Sequence, residues 1–279
     1  MIKKLFENIF KGLGVGASML LPGVSGGTMA ILLGIYDELI TAIGSFFKNT
    51  KKNLFLLSTF GIGSVTGIIL FSKPILYVTT TYKMPMFYLF IGAILGGLPV
   101  LYKKSNVKEV ASKTKKLYYY SFALVGFFIV WLISLIPSDL FVFDPNNGLV
   151  SYGLLLIAGV ICAIALVLPG ISLSYMLLIM GMYEPTMKAI EQFDIVYLLP
   201  IAIGGFVGTI ATARILENAM EKHSQATYFM ILGFLVASMF DVIPKTFPQG
   251  LEWILCPITL LTGFFAIFFL SRLAKNAKK

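Results

Sequence analysis

Charged residues leave long gaps along this chain. Uncharged stretches cover 12–36, 54–72, 84–102, 117–138, 145–183, 195–213, 224–240 and 253–271. A helix crossing a bilayer needs roughly 17 to 25 apolar residues, so six of these eight stretches predict single spans. The first and fifth predict something else, because each is broken midway by Pro-Gly, at Pro22-Gly23 and at Pro169-Gly170. Proline removes a helical hydrogen bond and clashes with the preceding turn, and a glycine behind it makes a continuous helix improbable. Each broken stretch is therefore either a kinked span or a re-entrant hairpin.

Loop charge separates those two readings. With hairpins, 18 of the 22 Lys and Arg fall on one side of the membrane, including Lys48, Lys51, Lys52, Lys103, Lys104, Arg214 and Lys222. Lys73, Lys83, Lys188 and Lys245 are left on the other side with Asp139 and Asp144. With kinked spans, the basic clusters at 48–52 and 103–116 would face away from the basic N-terminus, against the positive-inside rule. The expectation is an all-α integral membrane protein of six spans and two re-entrant hairpins, multi-pass in the plasma membrane, with both termini cytoplasmic. The basic start MIKKLFENIFK resembles a signal peptide but is followed by no small-residue cleavage site, so it is expected to be retained.

The chain repeats itself. A shift of 147 places lays Leu21-Pro22-Gly23-Val24-Ser25 on Leu168-Pro169-Gly170-Ile171-Ser172, and the register holds for Met29 on Met176, Gly34 on Gly181, Tyr36 on Tyr183 and Asp37 on Glu184. A shift of 141 then lays Gly63 and Gly67 on Gly204 and Gly208, and Lys73 on Arg214. A shift of 137 lays Gly126-Phe127-Phe128 on Gly263-Phe264-Phe265. The expected organisation is one membrane domain, 1–279. It holds a first repeat at 1–140 with its hairpin at 12–43, and a second at 149–279 with its hairpin at 150–190. One hairpin plus three spans is an odd number of crossings, so the second copy is inverted relative to the first, a plan common in secondary transporters.

Composition agrees and narrows the chemistry. The chain has 279 residues, 58% hydrophobic and 13% charged, with mean hydropathy +0.89. Soluble domains carry about 25% charge, so a soluble enzyme, a disordered chain and a disulfide scaffold are excluded. The net charge of +9 fits cytoplasmic loops better than nucleic acid. A lone histidine, His223, and two cysteines in apolar runs, Cys162 and Cys256, give no basis for a metal site, and no cofactor is expected.

The chemistry that remains lies at the hairpin tips. Non-helical backbone at membrane depth must be buried in protein or line a polar cavity. Ser25 is placed to cap a second half-helix whose first turn is Gly26, Gly27 and Thr28, and unpaired N–H groups at the positive end of a helix dipole attract an anion. The second copy offers Ser172, Ser174 and Tyr175 around Leu173. The glycine pair predicts closer approach of a phosphate at the first tip. Arg214 and Lys73, at the ends of equivalent spans, either snorkel or hold the anion as it enters and leaves. Asp37, Glu38 and Glu184 are either solvated helix ends or candidates for proton or ion coupling.

Two contexts carry a resemblance: LPGVSGGTMAILLGIYDELI in the first half and LPGISLSYMLLIMGMYEPTMKAI in the second. Together they resemble a bacterial and archaeal membrane family linked to undecaprenyl-phosphate transport. The resemblance covers essentially the whole chain and implies a polyprenyl-phosphate lipid as substrate, returned across the membrane for cell-wall synthesis. The second motif departs from the first in lacking the double glycine. A small-anion transporter or channel is the alternative. A lipid phosphatase fits less well, because it would want histidine and arginine near a nucleophile. Oligomeric state is left open.

Overall fold

The structure, a computed structural model, describes residues 2–20, 25–105, 112–137, 149–244 and 246–276. Pro22, Gly23 and Val24 of the first tip, and the loops 106–111 and 139–148, lie outside the described residues. Among the described residues the fold is entirely helical, without strands.

The twelve α-helices among the described residues fall into two series of six. The first comprises α1 (Ile2–Ser18), α2 (Gly26–Leu32), α3 (Tyr36–Gly44), α4 (Thr50–Thr81), α5 (Lys83–Lys104) and α6 (Lys113–Ser134). The second comprises α7 (Leu149–Val167), α8 (Leu173–Ile179), α9 (Tyr183–Glu191), α10 (Ile195–Lys222), α11 (Ser224–Val242) and α12 (Glu252–Asn276). A 3₁₀ turn, Phe46–Asn49, joins α3 to α4.

The short helices follow from local chemistry. Ser25 caps α2 by accepting from the Thr28 amide, and Ser172 caps α8 by accepting from the Tyr175 amide. Nine residues after its serine, and two beyond its last helical residue, each chain turns at a glycine with positive φ, Gly34 (+67°) and Gly181 (+64°). Beyond each glycine the next amide reaches back, Ile35 N–H to the Ala30 carbonyl and Met182 N–H to the Leu177 carbonyl. This is a Schellman ending, which only glycine adopts without steric cost. In the first series it swings α3 by 120° from α2.

Glycines also set the long-range packing. In α1, a Cβ on Gly12 would fall 2.2 Å from the Phe60 carbonyl oxygen, and one on Gly16 would fall 2.0 Å from that of Ser64. Gly63 and Gly67 of α4 press in the same way on Ile9 and Leu13. Contacts advancing together along both chains mean that α1 and α4 run parallel, backbone against backbone. Residues 19–49 therefore leave the far end of α1 and return to the end from which it started. The second series repeats the seam: Gly204 meets Leu156, Gly208 meets Val160 and Gly159 meets Ile201, so α7 and α10 are also parallel.

Two further seams cross between the series. Gly92 and Gly96 of α5 meet Leu260 and Phe264 of α12, while Gly126 of α6 meets Met230 of α11 and Gly233 of α11 meets Ala123 of α6. α5 thus packs on α12 and α6 on α11, one pairing seen from either half.

Six described helices are long and apolar enough to cross a membrane: Phe46–Ile75, Lys83–Lys104, Thr114–Ser134, Val150–Val167, Ile195–Lys222 and Glu252–Phe269. The set differs from the sequence expectation at two places. Val150–Val167, expected as a hairpin arm, qualifies because it carries no charge over a full bilayer length. Ser224–Phe240, expected as a span, is one of the shorter apolar helices. Large apolar side chains on the outer faces, such as Ile62, Ile69, Phe206 and Ile215, are exposed, as a lipid-facing surface requires.

Candidate functional site

The two serine-capped tips meet. The Gly170 amide donates to the Ser25 hydroxyl oxygen at 3.3 Å and to that of Thr28 at 3.2 Å, and those two hydroxyls lie 2.9 Å apart. Thr28 is buried and Ser25 half-buried. Gly170 sits at φ +86°, and a Cβ there would fall 2.5 Å from the Phe234 carbonyl oxygen, so the position requires glycine. Beside it, the Tyr36 hydroxyl donates to the Val167 carbonyl at 2.7 Å, closing the end of α7 onto the start of α3.

The glycine pair serves the junction unequally. A Cβ on Gly27 would lie 3.4 Å from Pro169 Cα and 3.5 Å from the Leu166 carbonyl oxygen, so Gly27 packs the second tip against the first. Among the described residues, the atoms nearest a Cβ on Gly26 belong to the side chains of Met19, at 3.2 Å, and Val15, at 3.6 Å. The approach expected for a ligand at Gly27 is taken here by protein backbone.

In the second tip, Ser172 is half-buried and Ser174 exposed. The Tyr175 hydroxyl donates toward carbonyls at the end of α6, 3.0 Å from Ile136 and 3.1 Å from Ser134. Tyr175 therefore satisfies orphan carbonyls of a helix terminus, while its amide donates to the Ser172 hydroxyl oxygen.

The carboxylates differ sharply. Asp37, at the start of α3, accepts from Lys104 Nζ at 2.5 Å and from the Tyr228 hydroxyl at 3.1 Å, joining α3, α5 and α11. The same ammonium lies 5.8 Å from the Tyr228 ring centroid. Its repeat mate Glu184 is exposed, as is Glu38. A cavity of about 570 Å³ opens beside this cluster, lined among others by Lys4, Asn8, Asp37, Glu38, Lys52 and Asn53. Asn8 is buried and donates to Thr59, and Asn53 donates to the carbonyls of Ser45 and Phe46, fixing the turn before α4.

Arg214 and Lys73 are both exposed and are not brought to the tips. Arg214 lines a small cavity with Ser45, Lys48 and Glu217, at the end where α4 begins. Lys73 lies 23 residues into α4, about 35 Å along at 1.5 Å per residue, and so at the opposite end. Glu217, unremarked in the sequence, is buried and accepts from the Ser45 hydroxyl at 2.8 Å. The sequence marks Lys104 only as a loop charge and gives no sign of the roles of Tyr228 and Glu217, because the partners of all three are more than 60 residues away. Among the described residues no group of three His, Cys, Asp or Glu side chains could hold a metal ion.

Charge-poor crossing helices with apolar outer faces around a buried polar junction define a multi-pass helical membrane protein. The chain belongs to the undecaprenyl phosphate translocase-like family, which matches it over residues 15–255. It is 30% identical over 262 residues to a polyprenyl-phosphate transporter of Vibrio cholerae, covering 87% of this chain and 78% of that protein. It is 33% identical over 282 residues to a polyprenyl-phosphate transporter of Staphylococcus aureus, covering 95% of this chain and 96% of that protein. No solved structure matches the chain.

Proposed function

We propose that this protein carries a polyprenyl phosphate across the plasma membrane, returning the undecaprenyl-phosphate carrier to the cytoplasmic leaflet for reuse. It acts as a transporter and performs no catalysis. The two halves form one membrane domain as inverted repeats, each with a re-entrant hairpin. Parallel packing of α1 on α4 and of α7 on α10 supports the hairpins, since residues 19–49 must return to the side they left. The inversion is supported by Arg214, near the end of α10, lying beside Lys48, just before the start of α4. Lys48, Lys51 and Lys52 mark that end as cytoplasmic, with both termini on the same side.

The observation that carries the reading is the junction of Ser25 and Thr28 with Gly170. Two capped helix starts from opposite halves converge there on hydroxyls and an amide, inside a chain that otherwise buries mainly apolar groups. The Gly170 amide, the Thr28 and Ser25 hydroxyls and the Gly26 amide offer hydrogen bonds to a phosphate head, with Ser172 at the rim. The isoprenoid tail stays in lipid. Arg214 at the inner end and Lys73 at the outer end receive the phosphate before and after it passes the tips. Asp37, held by Lys104 and Tyr228, is suited to position helices rather than to carry protons.

The test is reconstitution into vesicles with a fluorescent short-chain polyprenyl phosphate. Protein-dependent loss of outer-leaflet label, competed by unlabelled polyprenyl phosphate and not by free phosphate, is the expected result. Equal competition by free phosphate would replace the lipid reading with a small-anion transporter.

A further inference from the structure

A second polar site lies apart from the tips and within the first half alone. The cavity of about 570 Å³ beside Asp37 is walled by α1, α3 and α4. Two buried amides line it, Asn8 and Asn53, each 8% exposed. The Thr59 hydroxyl gives its proton to the Phe55 carbonyl at 2.6 Å, so toward Asn8 it can only accept, and Asn8 Nδ2 donates to it. Asn53 Nδ2 donates to the carbonyls of Ser45 and Phe46. Both nitrogens are thus turned into protein. Neither amide oxygen accepts from a described residue. No sealed side-chain oxygen or nitrogen among those residues lacks a partner, so both oxygens open on the cavity. Of the acids on its wall, Glu7 is held by Lys11 and Asp37 by Lys104, while Glu38 is exposed. Lys4 and Lys52 also line the cavity, are exposed, and enter neither of the two ion pairs among the described residues.

The matching positions of the second repeat are mostly apolar. The shift of 147 sets Glu7 on Leu154 and Asn8 on Leu155, and the shift of 141 sets Thr59 on Pro200 and Lys52 on Phe193. The register holds at this end, because Gly12 on Phe60 and Gly159 on Ile201 make the same contact. A path at the interface of inverted repeats draws on both copies, whereas this cavity draws on one. It lies where the apolar stretch of α4 gives way to Lys51 and Lys52, at the level of lipid headgroups. Open amide oxygens call for N–H or O–H donors and repel a bare anion, while ammoniums outside any ion pair call for an anion. A ligand carrying a donor-rich cation beside an anion meets both demands. Resting on the sidedness given above, we propose that the cavity binds the headgroup of an inner-leaflet phospholipid with a primary ammonium, such as phosphatidylethanolamine. The ammonium donates to the amide oxygens of Asn8 and Asn53 and to Asp37 Oδ1, since Lys104 and Tyr228 both engage Oδ2. The phosphate lies between Lys4 and Lys52. A choline headgroup, with methyls in place of every N–H, cannot satisfy those oxygens. Asp37 also ties α3 to α5 and α11, so the bound lipid steadies the junction of the halves.

The experiment titrates full-length protein in detergent with short-chain phosphatidylethanolamine or the phosphatidylcholine of the same chains, and reads bound lipid by native mass spectrometry. Phosphatidylethanolamine should bind at least about tenfold more tightly. Asn8→Leu, which installs the residue of the second repeat, should weaken it by roughly tenfold, as should Lys4→Ala combined with Lys52→Ala. The two lysines are exposed, so the double variant keeps the melting temperature of the lipid-free protein and serves as the folded control. Equal binding of the two lipids, or binding unchanged in well-folded variants, overturns the inference. Free phosphoethanolamine should compete poorly; competition equal to that of the lipid would assign the cavity to a soluble zwitterion and overturn the lipid assignment. A protein that prefers phosphatidylethanolamine and moves no polyprenyl phosphate in vesicles keeps this site and loses the transport reading. One that moves polyprenyl phosphate and shows no such preference does the reverse.

Discussion

The Gly170 amide lies 3.2 Å from the hydroxyl oxygen of Thr28, joining the two motif copies 142 residues apart. The bond locates the second tip without a charged group. It also leaves a hydroxyl pair where an anionic head would compete for the same amide.

Thr28→Val keeps the shape of the side chain and removes that acceptor. Ser25 remains within reach of the amide, so the loss should be near the low end of a buried hydrogen bond, about 1 kcal/mol. A lower melting temperature in detergent and roughly tenfold weaker binding of polyprenyl phosphate are expected. Thr28→Ser should restore both.

Gly26 and Gly27 should respond differently. The described atoms nearest the new Cβ of Gly26→Ala are in the flexible Met19 side chain, so the substitution should leave folding intact and reduce lipid binding if phosphate approaches that amide. Gly27→Val presses on Pro169 and should lower stability as well. Unchanged lipid binding in well-folded Gly26→Ala would take Gly26 out of the site.

The parallel seam of α1 and α4 is tested by Gly16→Ala, whose new Cβ falls 2.0 Å from the Ser64 carbonyl oxygen. The helices must separate, at a cost of about 1 to 3 kcal/mol. Gly61→Ala, with no atom within 4 Å of the new Cβ, should leave the detergent melting temperature unchanged.

Membrane sidedness follows from the same seams. In a background free of Cys162 and Cys256, Thr50→Cys and His223→Cys should label from the cytoplasm, and Lys83→Cys and Gln192→Cys from outside. Labelling of Thr50→Cys from outside would remove the re-entrant arrangement.

Arg214 lies at the inner end, apart from the tips. Arg214→Ala should therefore slow translocation in vesicles more than Lys222→Ala while leaving equilibrium binding of short-chain lipid nearly unchanged. Arg214→Lys should recover part of the rate, because lysine keeps the charge but loses the planar fork.

Local chemistry was readable in advance and distant pairing was not. Ser25 and Ser172 cap short helices as their spacing predicts, and the register pairing Gly34 with Gly181 joins two residues with the same backbone role. The bend itself went unforeseen, because a positive φ at glycine is a conformational choice that composition does not announce. Asp37 read equally well as a solvated helix end, since nothing nearby in sequence shows that α5 and α11 finish and begin beside it. Gly27 read as an opening for ligand, yet its neighbour is Pro169, which reaches it only through the meeting of the two halves.

The seam between α5 and α12 bears on how the chain is made. Gly92 and Gly96 are threaded into the membrane well before Leu260 and Phe264 leave the ribosome. At roughly 5 to 20 residues per second, the interval between the end of α5 and the end of α12 is about 10 to 30 s. During that time a bare small-residue groove faces lipid or whatever insertion machinery shelters it. A chain cut short before α12 would carry that groove permanently, a mark by which membrane quality control could tell an unfinished molecule from a complete one.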